Sequence, residues 1–479
     1  MNGAPCTPVV TNVQGGLPAG LRTSPKLRFE PRFGFAYRPF GNERTAIRGG
    51  AGYYNITTTG ALFYALTGTV SANLQTFFNS QTPTGPAFVY PNVSPAGNTF
   101  TPNYGSVQFY SAIDTNWHDP YSLQTNLSID QDLGHGFGLR VSYIGLKTWH
   151  LIWQPELNML PYSKTIAATD QPRSAFPFPN FSSIPDRSTS AQASYHSGQA
   201  ELSHRFAHGL SFNSAYTLAK NLSDNQGTYG AFASTQSFVD EQGGYNGTYT
   251  YDRHIDYGNV TGTRRHRSLT SGVFELPFGH GERFAGGMNR FADLAVGGWQ
   301  VSGIFLYQTG PFITPFIPMN TADPSGTGSG TIFMRQQRPD RVGNGNSAHP
   351  SRSMWFNNDA FACPGSTGFA SLQNGNCVVG GVDANKNTVA PIGRFGTSSV
   401  GDVVGPGTVS LSTGLSKSFL ITEGVRLRAE GTFTNVLNHT NLADPNLDVT
   451  SPAFGTITQS RGSDFGGNRT GQVSMKLEF

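Results

Sequence analysis

The sequence has few charged residues, few cysteines and no long apolar run. Charged residues make up 13% of the 479 residues, which is about half the share of an average soluble domain. Aromatic residues make up 12%, and Gly and Pro number 59 and 30. The chain is therefore too aromatic for a disordered protein. It is also too poor in Glu and Lys for a helical bundle or a coiled coil.

Other absences exclude further classes of protein. No stretch of about eighteen apolar residues occurs, so we expect no transmembrane helix. Residues 1–16 have neither a basic start nor an apolar stretch, so we expect no signal peptide and predict an irregular segment over residues 1–26. The net charge of +3 comes from arginines that are scattered along the chain. Nucleic-acid binding normally uses clustered basic residues, and we predict none here.

No motif for catalysis, a metal or a cofactor stands out. Neither G-x-S-x-G nor H-E-x-x-H occurs, and no C-x-x-C pair argues for zinc. Asp252, His254 and Asp256 lie two residues apart, but three potential ligands at such loop spacing arise easily by chance. The sequence therefore predicts a protein that is not an enzyme and has no resident metal or cofactor.

Strict alternation of polar and apolar residues is the dominant pattern. From Gln472 to Phe479 every even position is polar and every odd position is apolar, which is the period of a half-buried strand. The same period predicts eleven strands and an all-β, antiparallel fold. The predicted strands are 27–38, 44–55, 120–132, 137–148, 195–206, 210–220, 266–276, 297–309, 408–419, 424–435 and 470–479.

The lengths of the strands and of their connections favour a transmembrane β-barrel. About ten residues at a steep tilt cross a bilayer, and each predicted strand reaches that length. Short and long connections alternate along the whole chain, as they do in outer-membrane barrels with short periplasmic turns and long external loops. The predicted external loops are 56–119, 149–194, 221–265, 310–407 and 436–469.

Six short segments carry a resemblance to one family. In chain order, they are similar to sequences in the barrels of TonB-dependent outer-membrane transporters of the Oar-like type. The segments are 31–39 (PRFGFAYRP), 216–220 (YTLAK), 275–279 (ELPFG), 297–300 (GGWQ), 415–419 (LSKSF) and 435–439 (NVLNH).

The resemblance implies a bacterial outer-membrane protein that takes up a ligand. Members of the family have an N-terminal domain, a plug that contacts TonB, and a barrel of 22 strands. Eleven strands are half of such a barrel, so we expect residues 27–479 to form its C-terminal part as an open sheet. We find no plug pattern, so TonB would act only through a plug absent from this chain. Phe479 matches the terminal aromatic residue that the barrel-insertion machinery binds.

Charged residues on the polar faces of the predicted strands are the main candidates for function. In the intact protein they could contact the plug or line a ligand path, although a hydrated barrel interior is polar in any case. These lumen-facing candidates are Arg28, Glu30, Arg32, Glu201, Arg205, Arg426, Arg428 and Glu430. We expect Arg28, Arg205 and Arg428 on the concave face of the sheet, and Phe212, Leu427 and Phe479 on its convex face.

Two further sites are predicted at the external side. Arg264, Arg265 and Arg267 could bind phosphates of lipopolysaccharide by bidentate contacts, although a solvated strand start is the simpler interpretation. Cys363 and Cys377 lie in one predicted external loop, where oxidising conditions favour a disulfide over two free thiols.

Two other functions remain open at this point. The long connection 310–407 suits a structural or adhesive surface protein. Some outer-membrane barrels are hydrolases, although nothing in the sequence selects a nucleophile.

Overall fold

Eleven long strands form the framework of the protein in the computed structural model. They are β1 (Arg32–Tyr37), β2 (Thr45–Asn55), β3 (Tyr121–Gly134), β4 (Phe137–Trp153), β5 (Ser188–Ala207), β6 (Leu210–Ser223), β7 (His266–Glu275), β8 (Trp299–Gln308), β9 (Thr408–Thr422), β10 (Val425–Thr434) and β11 (Thr470–Glu478). The structure describes residues 12–18, 27–41, 44–56, 81–82, 85–86, 107–108, 112–153, 155–161, 172–179, 181–184, 186–225, 249–317, 338–364, 395–422, 425–462 and 467–479.

The eleven strands pair in chain order, each antiparallel to the next, in a single sheet. All eleven predicted strands are present, so the predicted all-β antiparallel fold is confirmed. Within the described residues β1 and β11 do not pair with each other, so the sheet is open. Because the number of strands is odd, both edge strands run in the same direction.

Short elements complete the described secondary structure. Two-residue strands pair within the connections, and Gly258–Asn259 extends the sheet beside β6. One α-helix, α1 (Arg290–Val296), lies between β7 and β8. Three 3₁₀ turns cover Arg173–Ala175, Arg253–Asp256 and Asn358–Ala360. The short strands are Gln81–Thr82 with Gly85–Pro86, Val107–Gln108 with Phe181–Ser183, Phe312–Ile313 with Val403–Val404, and Asp340–Arg341 with Phe361–Ala362. No helix in the described ranges is long and apolar enough to span a bilayer.

The pairing register separates the side chains into a polar and an apolar face. Residues directly opposite each other in an antiparallel pair project to the same side of the sheet. Arg428 lies opposite Ser418 and Lys476, whereas Leu427 lies opposite Phe419 and Leu477. The alternation in the sequence thus continues across neighbouring strands, and the predicted separation of polar from apolar positions is confirmed.

Two of the short connections are tight hairpins. His135 and Gly136 join β3 to β4, and His208 and Gly209 join β5 to β6. In both pairs the two residues have positive φ, at 53° and 84° and at 51° and 78°. Two-residue turns with this geometry match the twist of the flanking strands, and Gly is favoured in them because it lacks a Cβ. These turns set the register of their hairpins.

Three predicted strand boundaries are wrong by five residues or more. β1 begins at Arg32 rather than at residue 27, so Arg28 and Glu30 lie outside the strand. Pro31 lacks an N–H group and cannot donate to the ladder beyond that point. β4 continues to Trp153 and β5 already begins at Ser188, so residues 149–153 and 188–194 are not loop.

The extensions of β4 and β5 escaped prediction because the rim covers much of both of their faces. Trp153, Ser188, Thr189 and Ala191 are all buried. Where both faces of a strand contact protein, the side chains no longer alternate between polar and apolar, and the period-two pattern disappears.

The long connections fold together at one edge of the sheet. One apolar core joins the connection after β8 to the connection after β10, with Phe316 N–H bonded to Leu447 O at 3.0 Å. A second cluster joins Met159, Tyr249 and Phe395, from three different connections. We call this assembly the rim.

Asp186 in the rim is a buried carboxyl group that titrates near neutral pH. Burial, followed by the negative charge of Asp114, raises its pKa from 3.8 to about 6. The folded state therefore holds this proton more tightly than the unfolded state does. The stabilisation from Asp186 is fully present below about pH 4 and is lost as the pH rises through about 6.

We predict that Asp186→Asn raises the stability of the rim at pH 7.5 by at most about 3 kcal/mol. The variant should match the natural protein at pH 4, because Asp186 is then protonated. Urea unfolding in detergent micelles, followed by the fluorescence of the buried Trp117 and Trp153, measures both values. An equal change at both pH values would contradict the assignment.

Candidate functional site

A row of charged and polar side chains crosses five neighbouring strands on the polar face. Arg48 on β2 and Arg140 on β4 both bind the carboxylate of Asp130 on β3, and the Arg140 Nε to Asp130 Oδ1 distance is 2.5 Å. Arg140 Nη1 also lies 3.7 Å from Glu201 Oε2 on β5. Asn213 Nδ2 on β6 donates to Glu201 Oε1 at 2.7 Å. We call these five residues the charged row.

The register explains why the charged row forms. Asp130, Arg140 and Glu201 lie directly opposite one another on three consecutive strands. Opposite charges at such cross-strand positions attract each other. Because the side chains of Arg48 and Arg140 are 54% and 51% exposed, water still hydrates the row.

Glu201 was identified from the sequence, but the other members of the charged row were missed. Arg48, Asp130 and Arg140 each occupy the polar phase of their strands. The alternation assigns each of these residues to the polar face of its strand. It does not show which residue on the neighbouring strand lies opposite. The predicted turn 133–136 would place Leu139 opposite Asp130, and the register irregularity between Asp132 and Gly134 brings Arg140 there instead.

A polar cleft of about 480 Å³ opens beside the charged row, towards the short connections. Arg38, Arg44 and Arg205 contribute to its wall, together with Asp132. Arginines outnumber carboxylates along the lining, so the cleft can accept anionic or hydrogen-bonding groups.

Two of the remaining lumen-facing candidates meet at the other side of the sheet. Arg428 Nη2 donates to Gln300 Oε1 at 3.2 Å and to Ser416 Oγ at 3.3 Å. Arg428 Nε lies 3.5 Å from Glu430 Oε2. The side chain of Arg426 projects to the same face of β10 as that of Arg428. It lies two residues closer to the turn between β9 and β10.

The three candidates at the start of the sheet lie at the rim edge. Arg28 pairs with the buried Asp119, which precedes β3. Glu30 accepts from the Asn55 amide at 3.1 Å and pairs with Arg32 at 2.7 Å. The bond from the Asn55 backbone is the main reason why the pKa of Glu30 is lowered.

The three arginines at the start of β7 have different surroundings. The side chain of Arg264 is half-buried, and burial lowers its pKa. Arg265 lies over the Phe312 ring at 5.4 Å, whereas Arg267 is exposed and opposite Gln308. Binding of lipopolysaccharide phosphates by these residues stays a prediction.

Of the three cysteines, the structure describes Cys363. Cys363 is fully buried in the apolar core of the rim and is disulfide-bonded. Cys377 and Cys6 lie outside the described residues, so the Cys363–Cys377 pairing stays a prediction. In the described part of the chain no group of three His, Cys, Asp or Glu side chains could hold a metal ion.

The rim contains the most deeply buried ion pair described. Asp256 accepts from Arg338 Nη1 at 3.2 Å and from Trp153 Nε1 at 3.2 Å. Arg338 Nη2 also donates to Ile255 O at 2.6 Å. The side chains of Arg338 and Asp256 are 3% and 0% exposed. This pair joins two long connections to the end of β4.

Replacing Asp by Asn in the rim pair and in the charged row compares how much each ion pair contributes to stability. We predict that Asp256→Asn destabilises the protein by about 3–5 kcal/mol, because it leaves the buried Arg338 without its counter-charge. Asp130→Asn should cost about 1 kcal/mol or less, because water hydrates Arg48 and Arg140. Urea unfolding of both variants measures the difference, and equal losses would contradict it.

Comparison with solved structures finds transporters and receptors of low sequence identity. YddB, an outer membrane transporter from Escherichia coli, is 10% identical, with a TM-score of 0.43. The FrpB iron transporter from Neisseria meningitidis is 10% identical with a TM-score of 0.37, and BauA, the ferric preacinetobactin receptor from Acinetobacter baumannii, is 7% identical with a TM-score of 0.40. The alignments cover 94% of this chain but only 40%, 39% and 36% of those chains. This chain thus spans about two fifths of their length.

The sequence comparisons identify a family but no curated relative. No curated protein matches the chain at a significant level. The family model described as outer membrane beta barrel domain matches residues 2–472. The chain therefore belongs to the outer membrane β-barrel domain family, and its place is the bacterial outer membrane.

Proposed function

We propose that the chain is the C-terminal barrel portion of a TonB-dependent outer-membrane receptor that takes up a ligand. The observation that carries this proposal is an open antiparallel sheet of eleven long strands with an ion-paired polar face. Membership of the barrel family supports it. The six segments similar to the Oar-like type support it independently, because all six lie in or beside strands, on both halves of the sheet.

The open edges of the sheet support a larger barrel. Unpaired backbone N–H and C=O groups in hydrocarbon cost several kcal/mol each, so a lipid-facing edge is not tolerated. Because β1 and β11 run in the same direction, direct closure would make them parallel neighbours. An additional odd number of strands closes the barrel with antiparallel pairs throughout. We propose that residues 27–479 contribute the C-terminal part of such a barrel.

In this proposal the charged row and the cleft beside it face the lumen. A plug domain in the complete receptor would contact them, and TonB would act through that plug. Outer-membrane lipid and lipopolysaccharide surround the barrel, and Phe479 would contact the insertion machinery. The exposed terminal ring of Phe479 is available for that contact.

The rim connections would then be external, and the short connections periplasmic. We predict that a membrane-impermeant maleimide labels Ser353→Cys in intact cells but not Glu282→Cys. Both positions are exposed, in the rim and between β7 and β8 respectively. Peptide mapping by mass spectrometry distinguishes them from the natural cysteines. Permeabilised cells should show labelling at both positions, and labelling of residue 282 in intact cells would contradict the topology.

The uptake proposal predicts a loss that depends on energy coupling. We expect a strain that lacks the gene to leave at least one small molecule in the medium that the parent strain removes. A protonophore should abolish the difference, because TonB-dependent uptake uses the proton gradient. Mass spectrometry of spent medium measures it.

The same strains test the two alternative functions. Loss of surface attachment with unchanged uptake would favour a structural or adhesive protein. Loss of an esterase or protease activity from isolated outer membranes would favour a barrel hydrolase. Either result without an uptake difference would overturn the transport proposal.

A further inference from the structure

The connection between β7 and β8 carries an exposed apolar surface at the edge opposite the rim. Phe278 and Phe284 pack against each other with ring centroids 5.5 Å apart, yet both remain exposed. In α1, Phe291 is 85% exposed and Leu294 is 44% exposed. Exposed large apolar side chains concentrated in one short connection normally mark an interaction surface. We call these four residues the aromatic patch.

The capping contacts of α1 fix the direction in which Phe291 points. Asn289 Oδ1 accepts the Ala292 amide at 2.8 Å and begins the helix. Asp293 Oδ1 accepts the His280 amide at 2.6 Å, so this side of the helix faces its own connection. Phe291 precedes Asp293 by two residues, which places it on the opposite side of the helix. Its exposure therefore follows from the way in which the helix is anchored.

The helix is joined directly to the apolar face of the sheet. Trp299 Nε1 at the start of β8 donates to Ala295 O in the last turn of α1 at 2.9 Å. Trp299 lies opposite Lys417 in the register, on the same side as Val301 and Phe305. In a protein of the outer membrane β-barrel family this apolar face is the lipid-facing one. The connection that carries the aromatic patch thus adjoins the surface that contacts lipid.

The contacts around Trp299 are typical of a membrane–water interface. Lys417 Nζ lies 5.0 Å from the Trp299 ring and 5.2 Å from the Phe419 ring, and it donates to Gly297 O. Tryptophan is enriched at the headgroup level of membranes, and the ammonium group of the buried Lys417 is held between the two rings rather than in water. The edge of the hydrocarbon therefore lies next to α1.

The charges of the connection are balanced. Between residues 276 and 298, Arg283 and Arg290 offset Glu282 and Asp293. Attraction to an anionic surface is therefore weak, and burial of apolar area dominates.

We infer that α1 and the aromatic patch insert into the phospholipid headgroup layer at the short-connection edge of the barrel. The connection then acts as an interfacial anchor that holds β7 and β8 at a defined depth. This inference depends on the family of the chain and not on uptake, so it can fail or succeed independently of the proposed function.

Collision accessibility of a spin label tests the anchor. A label on Phe291→Cys in the intact protein, reconstituted in phosphatidylethanolamine–phosphatidylglycerol vesicles, should collide with oxygen more than with a water-soluble nickel chelate. Glu282→Cys, exposed in the same connection, is the matched control and should show the reverse preference. We expect the oxygen-to-nickel ratio at residue 291 to exceed that at residue 282 several-fold.

A change of vesicle lipid and a check of folding complete the test of the anchor. The ratio at residue 291 should not change in vesicles of neutral phosphatidylcholine, because apolar burial drives the insertion. Heat-modifiable migration on gels confirms that each labelled protein is folded. Equal nickel accessibility at residues 291 and 282 would overturn the anchor. Protection of residue 291 in isolated outer membranes but not in vesicles would assign the patch to a protein partner and also overturn it.

Discussion

Inside a bilayer every backbone N–H and C=O group needs a protein partner, and the framework of this protein depends on that requirement. Strands can meet it only by pairing with neighbours along their full length. Consecutive antiparallel pairing of β1 to β11 satisfies the backbone of each inner strand on both sides. Pairing also aligns the alternation of neighbouring strands, because opposite residues project to the same face. One continuous lipid-facing surface and one continuous polar surface result.

The two faces and the rim use charge in different ways. On the polar face, arginines and carboxylates pair across strands but keep contact with water, so each pair contributes little to stability and the face stays hydrated. In the rim, Asp256 and Arg338 are withdrawn from water. Their removal from solvent is costly, and their mutual contacts and those to Trp153 and Ile255 help to offset it. The rim is therefore sensitive to the loss of a single partner.

In the rim, the long connections pack against one another. They have their own apolar cores, with Phe356 and Phe454 5.4 Å apart across two connections. Side chains from sequence positions about a hundred residues apart thus pack as they do in a globular domain. At the opposite edge two of the connections are two-residue turns, whereas the connection with α1 is long enough to carry a surface of its own.

The sequence by itself determined the strands, their order and their faces, because each depends on local alternation and on turns between neighbours. From Gln472 to Phe479, for example, the polarity of each residue was enough to assign its side of the sheet. Turn residues such as His208 and Gly209 add the register of one hairpin. Eleven strands and the long and short connections followed from such local information.

Only the tertiary structure decided which charged residues meet and which segments of the connections are ordered together. Asp130 and Arg140 lie ten residues apart, but Asp256 and Arg338 are separated by 82 residues. The extensions of β4 and β5 lost their alternation because the rim covers much of both faces. Contacts between connections depend on long-range packing, and such packing leaves no periodic pattern in the sequence.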